Sequence, residues 1–191
     1  MALSAPALAQ GTPPTGAAIA AVERFHAALL AVMQDAPRLG ARGRFDRLVP
    51  VMTRTFDLAA MTRIASGGSW VGFTGTDQTA LVDAFTRWSI ATYAARFDGY
   101  SGETFVTNGT QALANGDILV RTTLTRSGNQ EPVALSYLLR GNPPRIVDVY
   151  LTGTISELAS RRSEFITLTR QGGAARVLEE LQTRADRLLA G

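Results

Sequence analysis

The chain has 191 residues, 46% of them apolar, and a formal net charge of +3. That is enough for one cored domain and too apolar for a disordered chain. It holds no cysteine and its 19 basic residues are all arginine, which excludes disulfides, thiolate catalysis and cysteine metal sites and gives too small a net charge for a nucleic-acid partner.

Residues 2–10 read ALSAPALAQ, and Ala7-Leu8-Ala9 has the small-x-small form of a signal-peptidase site. Residues 1–16 are read as the remnant of an export signal and a flexible lead-in, and residues 17–191 as one domain. No later segment approaches the roughly 18 consecutive apolar residues of a membrane span, so a soluble protein is expected. Thr15 is a helix cap ahead of a stripe formed by Ile19, Val22, Phe25, Leu29, Leu30 and Met33. Pro37 ends this helix, with a loop expected at Gly40 and Gly43. A second helix, Phe45 to Phe56, contains Pro50, which kinks or splits it. Asp57 caps a third, Leu58 to Ala65, which Gly67-Gly68 stops, and Trp70 and Phe73 follow in a loop. Thr76 then caps the longest helix, about Asp77 to Phe97, with Leu81, Phe85, Trp88, Ala91, Tyr93 and Phe97 spaced three or four apart.

The period changes after Tyr100. Four strands are expected at Phe105–Ala112, Ile118–Thr125, Val133–Arg140 and Ile146–Thr152. Turn dipeptides such as Asn108-Gly109 and Gly116-Asp117 punctuate the region, so the strands pair as antiparallel hairpins. Val120 and Leu124 share one face, as do Val133, Leu135, Tyr137 and Leu139, and also Val147, Val149 and Leu151. A sheet with one apolar face needs a cover. The helices supply it, two of them closing the chain at Ser156–Arg170 and Ala174–Ala190 across Gly172-Gly173. The fold class is α+β: a helical layer wrapped on a mainly antiparallel four-stranded sheet.

Catalytic chemistry is sparse. His26 is the sole histidine and is read as a surface or partly buried polar residue, since no metal-ligand cluster or nucleophile elbow accompanies it. Asp83 and Asp98 are too far apart to act together, and Glu179-Glu180 is a solvated-face pattern. Asp148, in a strand among apolar neighbours, is read as the partner of an arginine. No phosphate-loop or dinucleotide signature is present, and no cofactor is expected.

Three stretches carry a resemblance: Phe56-Asp57-Leu58-Ala59-Ala60-Met61 with Gly67, Gly68 and Trp70; Phe85-Thr86-Arg87-Trp88 with Ala91-Thr92-Tyr93; and Ile146 to Leu151 with Gly153, Ile155-Ser156 and Arg161 to Phe165. In order and spacing, over roughly residues 17–188, they resemble the MlaC/toluene-tolerance family of periplasmic lipid-binding proteins. The wording of Tyr93 to Phe105 and of Thr154 to Phe165 is most similar to HpnM, its hopanoid-associated branch. The resemblance implies a periplasmic carrier, not an enzyme, with an apolar cavity for a phospholipid or a hopanoid. It also implies an inner-membrane transporter partner of the RND or ABC type and transient membrane contact.

On that reading the sheet forms one cavity wall, with Val120, Leu124, Val133, Leu135, Tyr137, Leu139, Val149 and Leu151. Phe56, Met61, Ile64, Phe85, Trp88 and Phe97 form the other. Trp70 and Phe73 lie near a mouth, and the amphipathic rings of Trp70, Tyr93 and Tyr100 suit a rim. Arg63, Arg87 and Arg96 are candidates for a phosphate headgroup. Two rivals remain: a small α+β enzyme using Asp148 or Asp98 in a pocket, and an adaptor with a filled interior and an exposed apolar patch.

Overall fold

The computed structural model describes residues 14–128 and 131–190, so the expected signal-peptidase site lies outside the described residues. The first helix, α1 (Pro14–Gln34), places Ala18, Val22, Phe25 and Leu29 on one face, all fully buried. Residues Thr15–Gln34 are long and apolar enough to cross a membrane by composition, a property the count of uninterrupted apolar residues missed. Here that helix packs one face into the core. Helix α2 (Ala36–Thr55) follows almost at once and is broken at Gly40, whose φ of 61° and ψ of −179° are not helical. Gly43, expected in the loop, is helical, and Pro50 sits inside α2 without ending it. In α3 (Leu58–Ser66) the Asp57 carboxylate accepts the Ala60 N–H at 3.0 Å, the expected cap. Gly67 closes α3 with a φ of 56° and begins a 3-10 turn to Gly72.

Helix α4 (Gly75–Arg96) is capped by Thr74, not by the expected Thr76. The Thr74 hydroxyl accepts the Asp77 N–H at 3.1 Å, and the Asp77 carboxylate accepts the Thr74 N–H at 3.2 Å. This reciprocal box satisfies two orphan donors at once, which Thr76, one residue before Asp77, is too close to do.

The sheet has five strands rather than four: β1 (Thr104–Ala112), β2 (Ile118–Thr125), β3 (Val133–Arg140), β4 (Arg145–Leu151) and β5 (Ile155–Ser156). They pair antiparallel in chain order. With two residues, β5 is too short to carry an alternation, so only its pairing with Tyr150 and Leu151 reveals it. Asn108-Gly109 is not a turn between strands. It is a bulge inside β1, where Thr107 pairs with Thr122 and Gly109 with Arg121. A second shift pairs Leu138 with Asp148 and Leu139 with Ile146, leaving Val147 as the extra residue. Ile146 therefore joins the main core cluster, while Val147, also buried, lies outside it, because a bulge reverses the facing of everything beyond it.

Asp148 does not meet an arginine among the described residues. Its carboxylate accepts the Ser156 hydroxyl at 2.6 Å and the N–H groups of Leu158 and Val149 at 3.1 and 2.8 Å. These bonds tie β4 to the start of α5 (Glu157–Ala190), which breaks at Gly172 and Gly173 as expected. In the turn before β2, Asp117 does pair with an arginine, held by Arg140 at 2.8 and 2.7 Å. The Arg140 hydrogen bonds keep its carboxyl below the ordinary carboxylate range. Helices from both ends of the chain cover one face of the sheet, and one core cluster runs from Ala18 to Leu189.

Candidate functional site

Between that cover and the sheet lies a hollow of about 110 Å3. Its floor is Leu135 and Tyr137 of β3 with Val149 and Leu151 of β4. Helix α4 lines its length from Phe85 to Phe97, through Trp88, Ser89, Thr92 and Tyr93, which is about 18 Å at 1.5 Å per residue. Met52, Phe56, Leu58 and Met61 close one side from α2 and α3, and Leu158 closes another from α5. The aromatic rings meet edge to face, Phe25 on Phe56 at 5.0 Å and Phe56 on Tyr93 at 5.8 Å. Phe97 stacks on Tyr93 at 5.7 Å.

The interior carries no charge. Burial raises the phenols of Tyr93 and Tyr137 well above their ordinary range, so both stay neutral. The Tyr137 hydroxyl lies 3.0 Å from His26 Nε2, and the imidazole stacks on Phe105 with centroids 4.0 Å apart. His26 is thus buried behind the floor, contrary to the surface or half-buried placement expected from sequence. Burial lowers its pKa to about 4, so at neutral pH it is an uncharged hydrogen-bond partner that orients a wall residue.

Charge gathers along the side where α4 meets the start of α5. Arg96 closes α4 and Glu157 opens α5, with Nη1 and Oε1 3.9 Å apart. Arg161 reaches the same carboxylate at 3.3 Å and spreads its guanidinium over Trp88, 4.4 Å from the ring centroid. Glu157 is the pocket carboxylate that an enzyme would need, but its partners are two arginines. Arginine does not give up its proton in the physiological range, so this trio is an electrostatic rim rather than an acid–base pair. Neither Asp148 nor Asp98 lines this cavity.

Ten of the residues proposed from sequence line the cavity: Phe56, Met61, Phe85, Trp88, Tyr93, Phe97, Leu135, Tyr137, Val149 and Leu151. Eight do not. Val120 and Leu139 are fully buried in packed core, and Leu124 is turned to a neighbouring hollow. Ile64, Phe73 and Val133 pack on the outside of the core cluster. Trp70, at the N-terminal end of α4, is half-buried, and Tyr100, beyond its C-terminal end, is exposed at 44%. Trp70 and Phe73, expected near a mouth, do not line the cavity, whose charged residues Arg96, Glu157 and Arg161 gather beside the C-terminal half of α4. Of the three candidate headgroup arginines, Arg96 stands at the rim, Arg87 pairs with Asp186 at 2.7 Å and Arg63 lies outside the cavity. Sequence reasoning missed Ser89 and Thr92, although with Phe85, Trp88 and Arg96 they form one stripe at helical spacing. It also missed Met52, Leu58 and Leu158, which nothing in composition separates from core.

A cavity with an uncharged apolar interior and one charged rim, set between a helical cover and an antiparallel sheet, defines an α+β binding domain for an apolar or amphipathic molecule. The chain belongs to the MlaC family, whose model, described as MlaC protein, matches residues 23–183. Among solved structures it is similar to the phospholipid-binding protein of Ralstonia solanacearum, determined in complex with a phospholipid. That similarity has 25% identity and a TM-score of 0.77, covering 90% of this chain and 98% of the other. No curated protein matches the sequence significantly.

Proposed function

We propose that this protein is a periplasmic phospholipid carrier. The observation that carries the proposal is the cavity itself: hydrocarbon walls along α4 and the sheet, with Arg96 and Arg161 only at the rim. Exposing one methylene to water costs about 0.8 kcal/mol, so a chain of about 15 methylenes faces a barrier of roughly 12 kcal/mol outside a bilayer. A protein cavity in place of the bilayer removes most of that barrier without a catalytic group or a nucleotide. Family membership and the lipid-bound relative support this reading. The hollow is smaller than the roughly 300–1,000 Å3 of ordinary ligand sites, so loading parts the walls. In the proposed cycle an inner-membrane transporter of the RND or ABC type and the outer membrane exchange lipid with residues 17–191, after an export signal ending within residues 1–16 is removed.

A hopanoid is the second reading. Its support is the HpnM-like wording of Tyr93 to Phe105 and Thr154 to Phe165, because those two segments supply Tyr93, Arg96, Phe97, Glu157, Leu158 and Arg161 to the cavity. Native mass spectrometry of the purified protein, followed by extraction and identification of bound molecules, separates the two. One phospholipid per chain is the expected result, and a stoichiometric hopanoid favours the second reading. An empty protein that takes no lipid from vesicles refutes both.

A further inference from the structure

No residue of the turn between α3 and α4 lines the cavity, yet this turn carries the most exposed large apolar side chain among the described residues, Val71, at 88%. A lone exposed valine is ordinary; the setting of this one is not. The chain has no charged residue from Ile64 to Thr76. Trp70, beside Val71, is only half-buried, and its indole N–H has no hydrogen-bond partner among the described residues. Behind the tip the turn is pinned. The Gln78 side-chain amide of α4 donates to the Trp70 and Phe73 carbonyls at 3.0 and 3.3 Å. The Phe73 N–H returns to the Trp70 carbonyl at 3.2 Å, and the Phe73 ring packs on the core. The apolar tip is thus held out in a fixed shape, so a contact made there costs little ordering.

The flanks of the turn are basic. Arg162 of α5 is exposed and lies against Gly67, its Nε 3.2 Å from where a Cβ on that glycine would stand. Arg63 is exposed in the last turn of α3, and its carbonyl accepts the Gly67 N–H. Neither guanidinium has an ion-pair or hydrogen-bond partner among the described residues. Asp77, the acid that ends the uncharged stretch, is engaged with the Thr74 hydroxyl and N–H in the helix cap. We infer that this turn is a docking tip for the surface of an anionic lipid bilayer. An indole with a free N–H and an aliphatic neighbour suit the boundary between headgroups and acyl chains. The two arginines meet the lipid phosphates. A protein partner is the poorer fit, because a protein interface carries about ten hydrogen bonds and the side chains from Gly67 to Phe73 offer only the Ser69 hydroxyl and the Trp70 indole. Docking of this kind asks nothing of the cavity, so it stands or falls apart from the carrier reading.

The absence of cysteine makes the test direct. The full chain with Val71→Cys, or with Gln111→Cys on the exposed edge of β1 as the control, is labelled with an environment-sensitive nitrobenzoxadiazole dye. Each is mixed with phosphatidylcholine vesicles with or without phosphatidylglycerol. The dye at position 71 is expected to brighten and shift to the blue on the anionic vesicles alone, and the dye at position 111 to stay unchanged. In flotation of the unlabelled chain with the anionic vesicles, Arg63→Gln and Arg162→Gln each lower the bound fraction about five-fold. Val71→Asp lowers it about ten-fold, the size of one valine lost from an apolar contact. A position-71 signal that does not change, or that the control matches, overturns the docking tip and leaves the turn to a protein partner. Flotation that Val71→Asp does not reduce overturns it too. Extraction of bound lipid from the same preparations reads the carrier function separately, and Val71→Asp is expected to hold as much lipid as the unsubstituted chain.

Discussion

Replacing Ser89 with phenylalanine separates a cavity from a packed core, because the two give opposite signs of stability. Ser89 lies half-buried on α4 with its side towards the hollow. A cavity of about 150 Å3 holds a benzene ring, and the hollow of about 110 Å3 is of that order. The new ring would bury roughly 80 Å2 of apolar surface beyond serine, which at about 25 cal/mol per Å2 contributes about 2 kcal/mol. For a chain of this length that raises the melting temperature by roughly 4 to 8 °C. The same ring displaces about three methylenes of a bound chain, a loss of about 2.4 kcal/mol or roughly 50-fold in affinity. Differential scanning calorimetry and uptake of a fluorescent phospholipid from vesicles measure the two effects on one preparation. A Ser89→Phe protein that melts lower by the amount expected of overpacking, about 1–3 kcal/mol, refutes the hollow as a binding space. So does one that takes up lipid like the unsubstituted chain.

Two further outcomes follow from groups outside the cavity lining. His26 is neutral in the fold with a pKa of about 4 against an ordinary 6.5, so between those values the unfolded chain binds the extra proton. Stability from this group is full above about pH 6.5 and is lost as the pH falls through 4, about 3 kcal/mol in all. His26→Gln keeps a partner for Tyr137 and should flatten that part of the denaturation-versus-pH curve, and an unchanged slope between pH 6.5 and 4 counts against the assignment. Asp148→Ala removes the acceptor of the Ser156 hydroxyl and the Leu158 N–H. A lost cap and a stranded buried donor together cost about 3 kcal/mol, seen as a drop of roughly 6 to 12 °C in melting temperature. Asp148→Asn, which keeps an acceptor, should recover at least half of it.

The strands were legible because three of the four alternate and turn residues separate them; the four expected spans agree with the observed ones to within a residue or so. What failed was whatever a local pattern does not encode. The extra residue Val147 is as apolar as Ile146, and only pairing with β3 shows which of the two joins the main core cluster. The cap at Thr74 was legible in principle, since Thr74 and Asp77 have the spacing of a capping box. The site was legible in outline and not in detail. Apolar residues on α4 and the sheet were identified, but Val120 and Leu139 look like Leu135 in sequence and differ only in whether another side chain fills the space above them. Trp70 and Phe73 were singled out by size, and neither lines the cavity. The charged residues of the cavity are instead Arg96 and, 61 and 65 residues later, Glu157 and Arg161, which meet Arg96 only in the fold.

That last spacing has a thermodynamic consequence. Arg96 ends α4, Glu157 begins α5, and β1 to β5 all lie between them. A partly folded chain without the complete meander therefore has no rim and no enclosed space to offer. On the carrier reading, a lipid would bind the native state alone and stabilise it by RT ln(1 + [L]/Kd), about 2.7 kcal/mol when free lipid stands at a hundred times Kd. Lipid release and stability are therefore linked on that proposed reading: giving up a lipid lowers the stability of the fold by that amount, and reloading restores it.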